Sequence, residues 1–392
     1  MIYTDFQGDK LSMLGFGTMR LPTLEGGAID EAQVNEMVKY AIDHGVNYFD
    51  TAYPYHASMS EIVIGKALSA YPRESFRLAT KFPGHQISAS YDPAAVFEEQ
   101  LKKCGVEYFD FYLLHNVYEN SLATYLDPRW DIIGYFKEQK RLGRIRHLGF
   151  SSHGSVDCMR EFLDKAGDAM EFCQIQLNWL DWTLQDAEAK TALLNERQIP
   201  IWVMEPVRGG RLCSLKENEE ATLRALRPDE SMAAWGFRFL HGVPGVTVVL
   251  SGMSDMRQMQ ENVRTFEENR PLSADETAAL LRIAEGMKNS IPCTGCRYCT
   301  DHCPKGLDIP LMMATCSELR FSPGVNVAMR LEGLPAEKQP SACVGCGACA
   351  RMCPQKIDIP GVMKELSEKL RSIPKWADIC RQREEAAKRA RQ

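Results

Sequence analysis

The sequence predicts an α/β chain in which a closed (β/α)8 barrel, the TIM-barrel arrangement, is followed by a small C-terminal domain. Strand-like and helix-like stretches alternate from the start to about residue 265, and they form eight strand-and-helix units with mostly short connections. After Ile291 the chain changes to turns rich in Cys, Gly and Pro. Strands separated by helical patterns imply right-handed crossovers and a parallel sheet. Eight units in roughly 250 residues match the size of a closed barrel.

The expected barrel strands are short stretches rich in β-branched and aromatic residues and leucine, bounded by turn residues. In chain order they are Met13–Gly17, Asn47–Thr51, Phe76–Lys81, Phe109–Leu114, Ile145–Ser151, Phe172–Leu177, Pro200–Glu205 and Gly245–Leu250.

Helical patterns fit between these strands. Asp30 can cap a helix from Glu31 to His44, which Gly45 ends. Proline suits the first turn of a helix over Pro93–Cys104. The other expected helices are Ser60–Ala70, Gln185–Arg197, Asp229–Leu240, Asp255–Thr265 and Ala274–Met287.

A doubly wound open sheet is the alternative to the barrel. It is weakened because no G-x-G-x-x-G follows the first strand, where a dinucleotide-binding fold would place its phosphate turn.

The chain has 392 residues, which exceeds what a single core usually holds, so two domains are expected. We divide it into a barrel over residues 1–270, a linker helix over 271–290, a cysteine-rich domain over 291–365 and a charged helical tail over 366–392.

The overall charge excludes some classes of function. A net charge of −6 and a pI near 5.9 give no sign of nucleic-acid binding, which favours a basic patch. The N-terminus lacks a basic segment followed by an apolar one, and no apolar run is long enough to cross a bilayer. We therefore expect a cytoplasmic protein without membrane insertion.

Eight of the fourteen cysteines lie in two runs that share one spacing. Both runs read C-x2-C-x2-C-x3-C-P, and an Asp-Ile-Pro follows each of them. They are Cys293, Cys296, Cys299, Cys303 with Pro304, and Cys343, Cys346, Cys349, Cys353 with Pro354. In a reducing compartment this pattern favours cluster ligation over disulfides.

The spacing of the two runs is that of a pair of [4Fe–4S] clusters. In two-cluster ferredoxins the fourth cysteine of each run ligates the other cluster. We therefore expect one cluster on Cys293, Cys296, Cys299 and Cys353, and the second on Cys343, Cys346, Cys349 and Cys303. Structural zinc is the alternative, but two full repeats with their prolines disfavour it. The segment resembles bacterial-type dicluster ferredoxins, with a longer spacer between the runs.

Four titratable residues fall at or just after the ends of consecutive barrel strands, where catalytic groups of such barrels cluster. They are Asp50, Tyr55, Lys81 and His115. Each alone has an ordinary structural explanation, such as a helix cap or a core histidine. Their occurrence at one face of neighbouring strands favours an active site.

Around these residues the sequence resembles the aldo-keto reductase family. The matching stretches are Asp50–Tyr55, Thr80–Phe82, Leu113–His115, Gly149–Ser152 and Glu261–Asn262. The resemblance implies that Tyr55 is the general acid, that Lys81 and Asp50 tune it, and that His115 orients the substrate carbonyl. A neighbouring ammonium should lower the pKa of the phenol, which is near 10 in water.

No side chain can supply a hydride, so this chemistry needs a cofactor. The resemblance implies a nicotinamide across the barrel mouth, with Ser151, Ser152 and Gln174 at its carboxamide and Asn262 near the adenine. Arg208 and Arg257 are further candidates for cofactor phosphates. The family's stacking aromatic after the seventh strand is absent, and only Arg257 represents the basic residues that bind a 2′-phosphate. NADPH or NADH is expected, and a flavin remains possible.

The combination predicts an oxidoreductase that acts on a small carbonyl or alcohol, with two [4Fe–4S] clusters that transfer electrons. A redox partner protein is a candidate for the other side of this transfer. Because hydride moves two electrons and each cluster carries one, direct coupling would need a mediator such as flavin. The alternative is a redox subunit or cofactor-sensing module of an electron-transfer complex, whose barrel has little carbonyl reductase activity. A third possibility is an enzyme whose clusters only stabilise or dock the C-terminal domain.

Overall fold

The computed structural model describes residues 1–86, 88, 90–287, 291, 293, 297, 299–321, 323–353 and 356–390. Contacts between residues divide the chain into two compact units, one formed mainly by Met1–Leu280 and the other by Leu281–Glu385. Each unit is described by itself. The four-part division expected from the sequence stays a prediction.

The first unit is a closed barrel of eight parallel strands, which confirms the predicted fold class. A two-stranded antiparallel hairpin, β1 (Tyr3–Phe6) and β2 (Asp9–Ser12), precedes it. The barrel strands are β3 (Leu14–Gly17), β4 (Tyr48–Asp50), β5 (Arg77–Phe82), β6 (Phe109–Leu114), β7 (Ile145–Ser152), β8 (Cys173–Gln176), β9 (Ile201–Met204) and β10 (Val246–Ser251). Strand β10 pairs with β3 and closes the barrel.

Helices outside this sheet connect its strands or follow the last of them. They are α1 (Glu31–Asp43), α2 (Ser60–Leu68), α3 (Pro93–Cys104), α4 (Leu122–Leu126), α5 (Ile132–Arg141), α6 (Val156–Ala166), α7 (Asp181–Leu184), α8 (Ala187–Glu196), α9 (Glu217–Leu226), α10 (Met232–His241), α11 (Met256–Thr265) and α12 (Ala274–Met287). The predicted caps are present: the Asp30 carboxylate accepts a hydrogen bond from the amide of Gln33 at 3.0 Å, and Pro93 opens α3.

The hairpin covers the N-terminal end of the barrel, and the sequence analysis did not predict it. Its Phe6 lies in an aromatic cluster with Phe111, Phe172 and Trp202, at ring-centroid distances of 5.0 to 6.2 Å. Asp9 accepts a hydrogen bond from Arg77 Nη2 at 2.7 Å, at the start of β5. Aromatic packing and an ion pair close the N-terminal end of the barrel. A substrate can therefore enter only from the opposite end, where the barrel strands end.

The second unit is helical around its cysteine runs. Its helices are α13 (Ile309–Phe321), α14 (Val325–Glu332), α15 (Ala348–Arg351), α16 (Ile359–Ser372) and α17 (Trp376–Ala390). The repeated Asp-Ile-Pro marks the start of α13 and α16, because Asp308 accepts from the Leu311 amide at 3.3 Å and Asp358 from the Gly361 amide at 3.2 Å.

Within the part of the chain that the structure describes, no helix combines the length and apolar character needed to span a bilayer.

Of the six cysteines outside the two runs, five are buried and Cys213 is half-buried.

Candidate functional site

Asp50 and Lys81 form a buried ion pair at the mouth of the barrel. Asp50 ends β4 and Lys81 lies near the end of the neighbouring β5, so the two side chains meet at the same level of the sheet. Lys81 Nζ lies 2.5 Å from Asp50 Oδ1 and donates a second hydrogen bond to the Thr51 carbonyl at 2.8 Å. The Lys81 and Asp50 side chains are 0% and 4% exposed, so the loss of either one would leave the other as an uncompensated buried charge.

The charge of Lys81 is stabilised by its surroundings. Burial lowers the pKa of this ammonium, but the nearby Asp50 and Tyr55 more than offset burial, so the pKa ends above its usual value. Lys81 therefore carries a positive charge at neutral pH.

Tyr55 and His115 complete a group of four side chains. Lys81 Nζ lies 5.2 Å from the centroid of the Tyr55 ring. The rings of Tyr55 and His115 are 6.0 Å apart and nearly perpendicular, at 85°. The Tyr55 loop is fixed by a hydrogen bond from its amide to the Ala52 carbonyl at 3.1 Å. All four predicted catalytic residues are thus brought together at one mouth.

The acidity of Tyr55 differs from the sequence expectation. Burial raises the pKa of its hydroxyl, and the opposing effect of the Lys81 ammonium does not overcome burial. Asp50 and Glu205 raise the pKa further. A neutral tyrosine at neutral pH can donate a proton to a substrate, while Lys81 remains available to stabilise the phenolate that this leaves.

His85 is a buried neighbour of this group that the sequence analysis did not select. Its side chain is 5% exposed, and its ring lies 4.2 Å from that of His115, tilted by 55°. Tyr125 holds the backbone nearby, since its hydroxyl donates to the His115 carbonyl at 2.6 Å. The only signal in the sequence was its position three residues after β5, in the turn Pro83–His85.

Glu205 is a second residue that sequence reasoning did not select. It follows β9 directly with a φ of 57°, and its carbonyl accepts a hydrogen bond from Asn178 Nδ2 at 3.0 Å. Burial raises the pKa of its carboxyl, while Arg20 and Arg208 oppose this. The charge of Glu205 also contributes to the raised pKa of Tyr55.

The predicted carboxamide contacts lie on neighbouring strands, where Ser151 pairs with Gln174. The Gln174 Oε1 atom is buried and makes no hydrogen bond within the described residues, and its Nε2 has only Met204 Sδ at 3.7 Å. Ser151 accepts from the Asn116 amide at 2.8 Å. The Ser152 hydroxyl donates to the Val117 carbonyl at 2.7 Å, so it already ties the loop after β6.

The remaining predicted cofactor residues are more scattered. The Arg208 guanidinium is buried and held by Asp181 through three contacts of 2.7 to 3.1 Å. Arg257 is 77% exposed at the start of α11. Asn262 donates to Ser251 Oγ at 3.0 Å at the end of β10. Of the two arginines, Arg257 has the more accessible positive charge.

A cavity in the second unit gathers cysteines from both runs. We call it the second-run cavity. It is lined by Cys303, Pro304, Lys305, Cys343, Val344, Cys346, Gly347, Cys349 and Pro360. Burial raises the pKa of the Cys349 thiol, and charge on Cys343 and Cys303 raises it further. The fourth cysteine of the first run therefore lies with three of the second.

The other expected group of four cysteines, Cys293, Cys296, Cys299 and Cys353, lies only partly within the described residues. Cys299 belongs to the hydrophobic cluster of the second unit, and Cys293 and Cys353 pack against that cluster. Burial raises the pKa of the Cys299 thiol, and charge on Cys293 and Cys353 adds to this. Cys296 and Pro354 lie outside the described residues. Among the described residues, no three His, Cys, Asp or Glu side chains are arranged to hold a single metal ion. The second-run cavity fits a cluster, because four cysteines line it, and a [4Fe–4S] cluster takes four thiolates.

Comparison with protein families divides the chain close to the boundary between the two compact units. Residues 13–285 match the model of the aldo/keto reductase family, and residues 286–354 match that of a 4Fe-4S dicluster domain.

Curated relatives extend over the barrel region. "Probable aldo-keto reductase 1" of Glycine max is 32% identical over 212 residues, which cover 52% of this chain and 58% of that protein. The chain thus spans less than two thirds of this relative. "Uncharacterized oxidoreductase YqkF" of Bacillus subtilis is 28% identical over 300 residues, or 69% of this chain and 92% of that one.

A solved structure shares the fold. The holo form of the aldo-keto reductase AKR11C1 from Bacillus halodurans is 27% identical, with a TM-score of 0.59. The match covers 72% of this chain and 96% of that one.

Proposed function

This chain belongs to the aldo/keto reductase family and carries a C-terminal 4Fe-4S dicluster domain, and from that premise we propose that it is an oxidoreductase. The barrel would reduce the carbonyl of a small molecule, or oxidise the corresponding alcohol, with a nicotinamide nucleotide. The observation that carries this proposal is the group at the mouth: the Tyr55 ring lies 5.2 Å from the Lys81 ammonium and 6.0 Å from the His115 ring.

Each residue of the group has a role in this proposal. Tyr55 donates its proton to the carbonyl oxygen, and Lys81 stabilises the phenolate that remains. His115 donates a hydrogen bond to the same oxygen and thereby orients the carbonyl. Asp50 holds the ammonium in place through the 2.5 Å contact.

The residues present fit a nicotinamide nucleotide, which when bound supplies the hydride. The buried Gln174 Oε1 has no partner among the described residues and can accept a hydrogen bond from the carboxamide. Ser151 can donate from its hydroxyl. We propose NADPH over NADH because the exposed Arg257 offers a cation for a 2′-phosphate.

The proposal is tested by anaerobic assays of the purified chain with NADPH and NADH against a panel of aldehydes and ketones. We expect nucleotide binding and carbonyl-dependent oxidation of the nucleotide, with NADPH preferred. Tight nucleotide binding without turnover of any carbonyl would contradict it and favour a cofactor-sensing subunit. A flavin released from the denatured protein would identify a mediator between hydride and one-electron chemistry.

For the second unit we propose two [4Fe–4S] clusters that exchange single electrons with a partner protein. The first would lie on Cys293, Cys296, Cys299 and Cys353. The second would lie in the second-run cavity, on Cys303, Cys343, Cys346 and Cys349. The cavity supports this exchange of fourth ligands, because Cys303 lies with the second run.

The exchange of fourth ligands can be tested by counting iron. Replacing Cys343, Cys346 and Cys349 together with serine should lower about eight irons per chain to about four. In that background, Cys353→Ser should remove the remaining iron, whereas the matched Cys303→Ser should leave it. The reverse result would show that each run keeps its own fourth cysteine. Stoichiometric zinc without iron in the unmodified chain would exclude clusters altogether.

A further inference from the structure

We infer that the rim of the second-run cavity is the docking site for an acidic one-electron carrier protein. The inference rests on the proposed function, because it requires that this cavity holds a cluster. It adds the place of docking and the charge of the partner.

The cavity opens on the surface of the second unit. Cys346, one of the four lining cysteines, is exposed. Val344, which also lines the cavity, is 58% exposed, and Met352 nearby in the sequence is 45% exposed. Large apolar side chains so open to solvent are characteristic of contact surfaces when they cluster around a functional group. A carrier seated there would come close to the cluster ligands, as one-electron transfer requires.

Three cations border this opening. Lys305 lines the cavity itself. Lys338 donates from Nζ to the carbonyls of Lys305 and Gly306, at 2.8 and 3.1 Å. Arg351 also lies at the opening, since a Cβ atom added to the lining residue Gly347 would be 3.7 Å from its Nη1. The rim therefore combines apolar side chains with positive charge.

Negative charge near the rim is smaller. Asp358 lies two residues before the lining residue Pro360, and its carboxylate is used to cap α16. Asp308, five residues after Cys303, lies 3.4 Å from Arg297 and caps α13. Arg297 offsets the charge of Asp308, whereas the backbone hydrogen bond of Asp358 leaves its charge in place, so the three cations outnumber the remaining carboxylate.

The charge of the unit agrees with that of the rim. Residues 281–385 contain fifteen Lys and Arg against twelve Asp and Glu, whereas the whole chain has a net charge of −6. Complementary charge mainly accelerates encounter and selects the partner. A positive rim on an otherwise acidic chain favours an acidic carrier.

The reaction at this site transfers one electron and no atoms. The reduced carrier loses one electron, and a cluster of the chain passes from the [4Fe–4S]2+ to the [4Fe–4S]1+ state. The reverse transfer uses the same contact.

Plant-type ferredoxin, an acidic one-electron carrier, is a suitable probe. Oxidised chain is mixed anaerobically with reduced ferredoxin, and prereduced chain with oxidised ferredoxin. Electron transfer is then thermodynamically favourable in at least one of the two mixtures. We expect a second-order rate constant that falls about tenfold or more as ionic strength rises from about 0.01 M to about 0.5 M. A rate constant that rises with salt or ignores it would overturn the inference, as would a rate independent of ferredoxin concentration. Basic cytochrome c should show the opposite salt dependence.

Variants locate the contact. Lys305→Gln combined with Arg351→Gln should lower the low-salt rate constant several-fold and flatten its salt dependence. Arg371→Gln is the matched control, since this exposed residue lies eleven positions beyond Pro360 along α16, about 16 Å away at 1.5 Å per residue. Equal rates in both variants would place docking elsewhere.

Iron content and complete reduction by dithionite are measured for every variant. A chain without dithionite-reducible iron would refute the proposed clusters themselves. A chain with reducible clusters that does not react with ferredoxin would refute only the docking site.

Discussion

Tyr55→Phe should lower the rate constant of carbonyl reduction by about 10²- to 10⁴-fold, the contribution expected of a positioned general acid. The substitution removes one oxygen and keeps the ring that lies 6.0 Å from His115. Nucleotide affinity should change little, because the proposed carboxamide contacts lie on β7 and β8. Single-turnover rates and the dissociation constant of NADPH, measured on the same preparation, separate the two effects.

Tyr53→Phe is the matched control for this variant. The Tyr53 hydroxyl donates to Glu99 at 3.1 Å and has no part in the proposed chemistry. We expect near-normal turnover in Tyr53→Phe. Full activity in Tyr55→Phe would remove Tyr55 from the role of acid.

Lys81→Met should lower the free energy of unfolding of the barrel by about 3–5 kcal/mol, because it leaves the buried Asp50 without its counter-charge. Catalysis should be lost as well. Five of the six tryptophans lie in residues 1–280, so tryptophan fluorescence in denaturant reports mainly on the barrel. Adding Asp50→Asn to Lys81→Met should restore most of the stability but none of the activity.

The exposed pair Lys66–Glu31 provides the control for Lys81→Met. Its atoms also lie 2.5 Å apart, but its side chains are 68% and 46% exposed. Lys66→Met should therefore cost less than about 1 kcal/mol. If both lysine variants lost stability equally, burial of the Lys81–Asp50 pair would not explain the effect.

Much of the barrel could be predicted from the sequence, because its elements are set locally. Helix α3 has the predicted bounds, Pro93–Cys104, since a proline and a capping aspartate mark its start and Gly105 its end. Strand β6 also has its predicted bounds. The hairpin β1–β2 was missed, because its long-range contacts, such as Phe6 in the aromatic cluster and Asp9 with Arg77, depend on the closed barrel.

The site could be predicted where strand ends determine it. Asp50, Lys81 and His115 lie at or next to strand ends, and parallel strands in a barrel bring such positions to one mouth. Site residues in the connecting loops were harder to predict from the sequence. His85 depends on how its loop folds back onto His115, and Arg208 on a buried partner, Asp181, that no local pattern indicates.

The acidity of Tyr55 shows a further limit of sequence reasoning. The expectation that Lys81 lowers the pKa was based on the charge pattern alone. Burial, which depends on the whole mouth, raises the pKa and outweighs that charge. The sequence identifies the charged neighbours, but the extent of desolvation is a property of the fold.

Hydride transfer at the barrel mouth is tested most directly with NADPH that carries deuterium at both C4 positions of the nicotinamide. The purified chain is incubated anaerobically with the deuterated nucleotide and the best carbonyl of the panel, and the product alcohol is analysed by mass spectrometry. We predict one deuterium on the carbinol carbon, with product formation strongly reduced in Tyr55→Phe and retained in Tyr53→Phe. Alcohol without deuterium, or equal labelled product from both variants, would contradict the proposed mechanism.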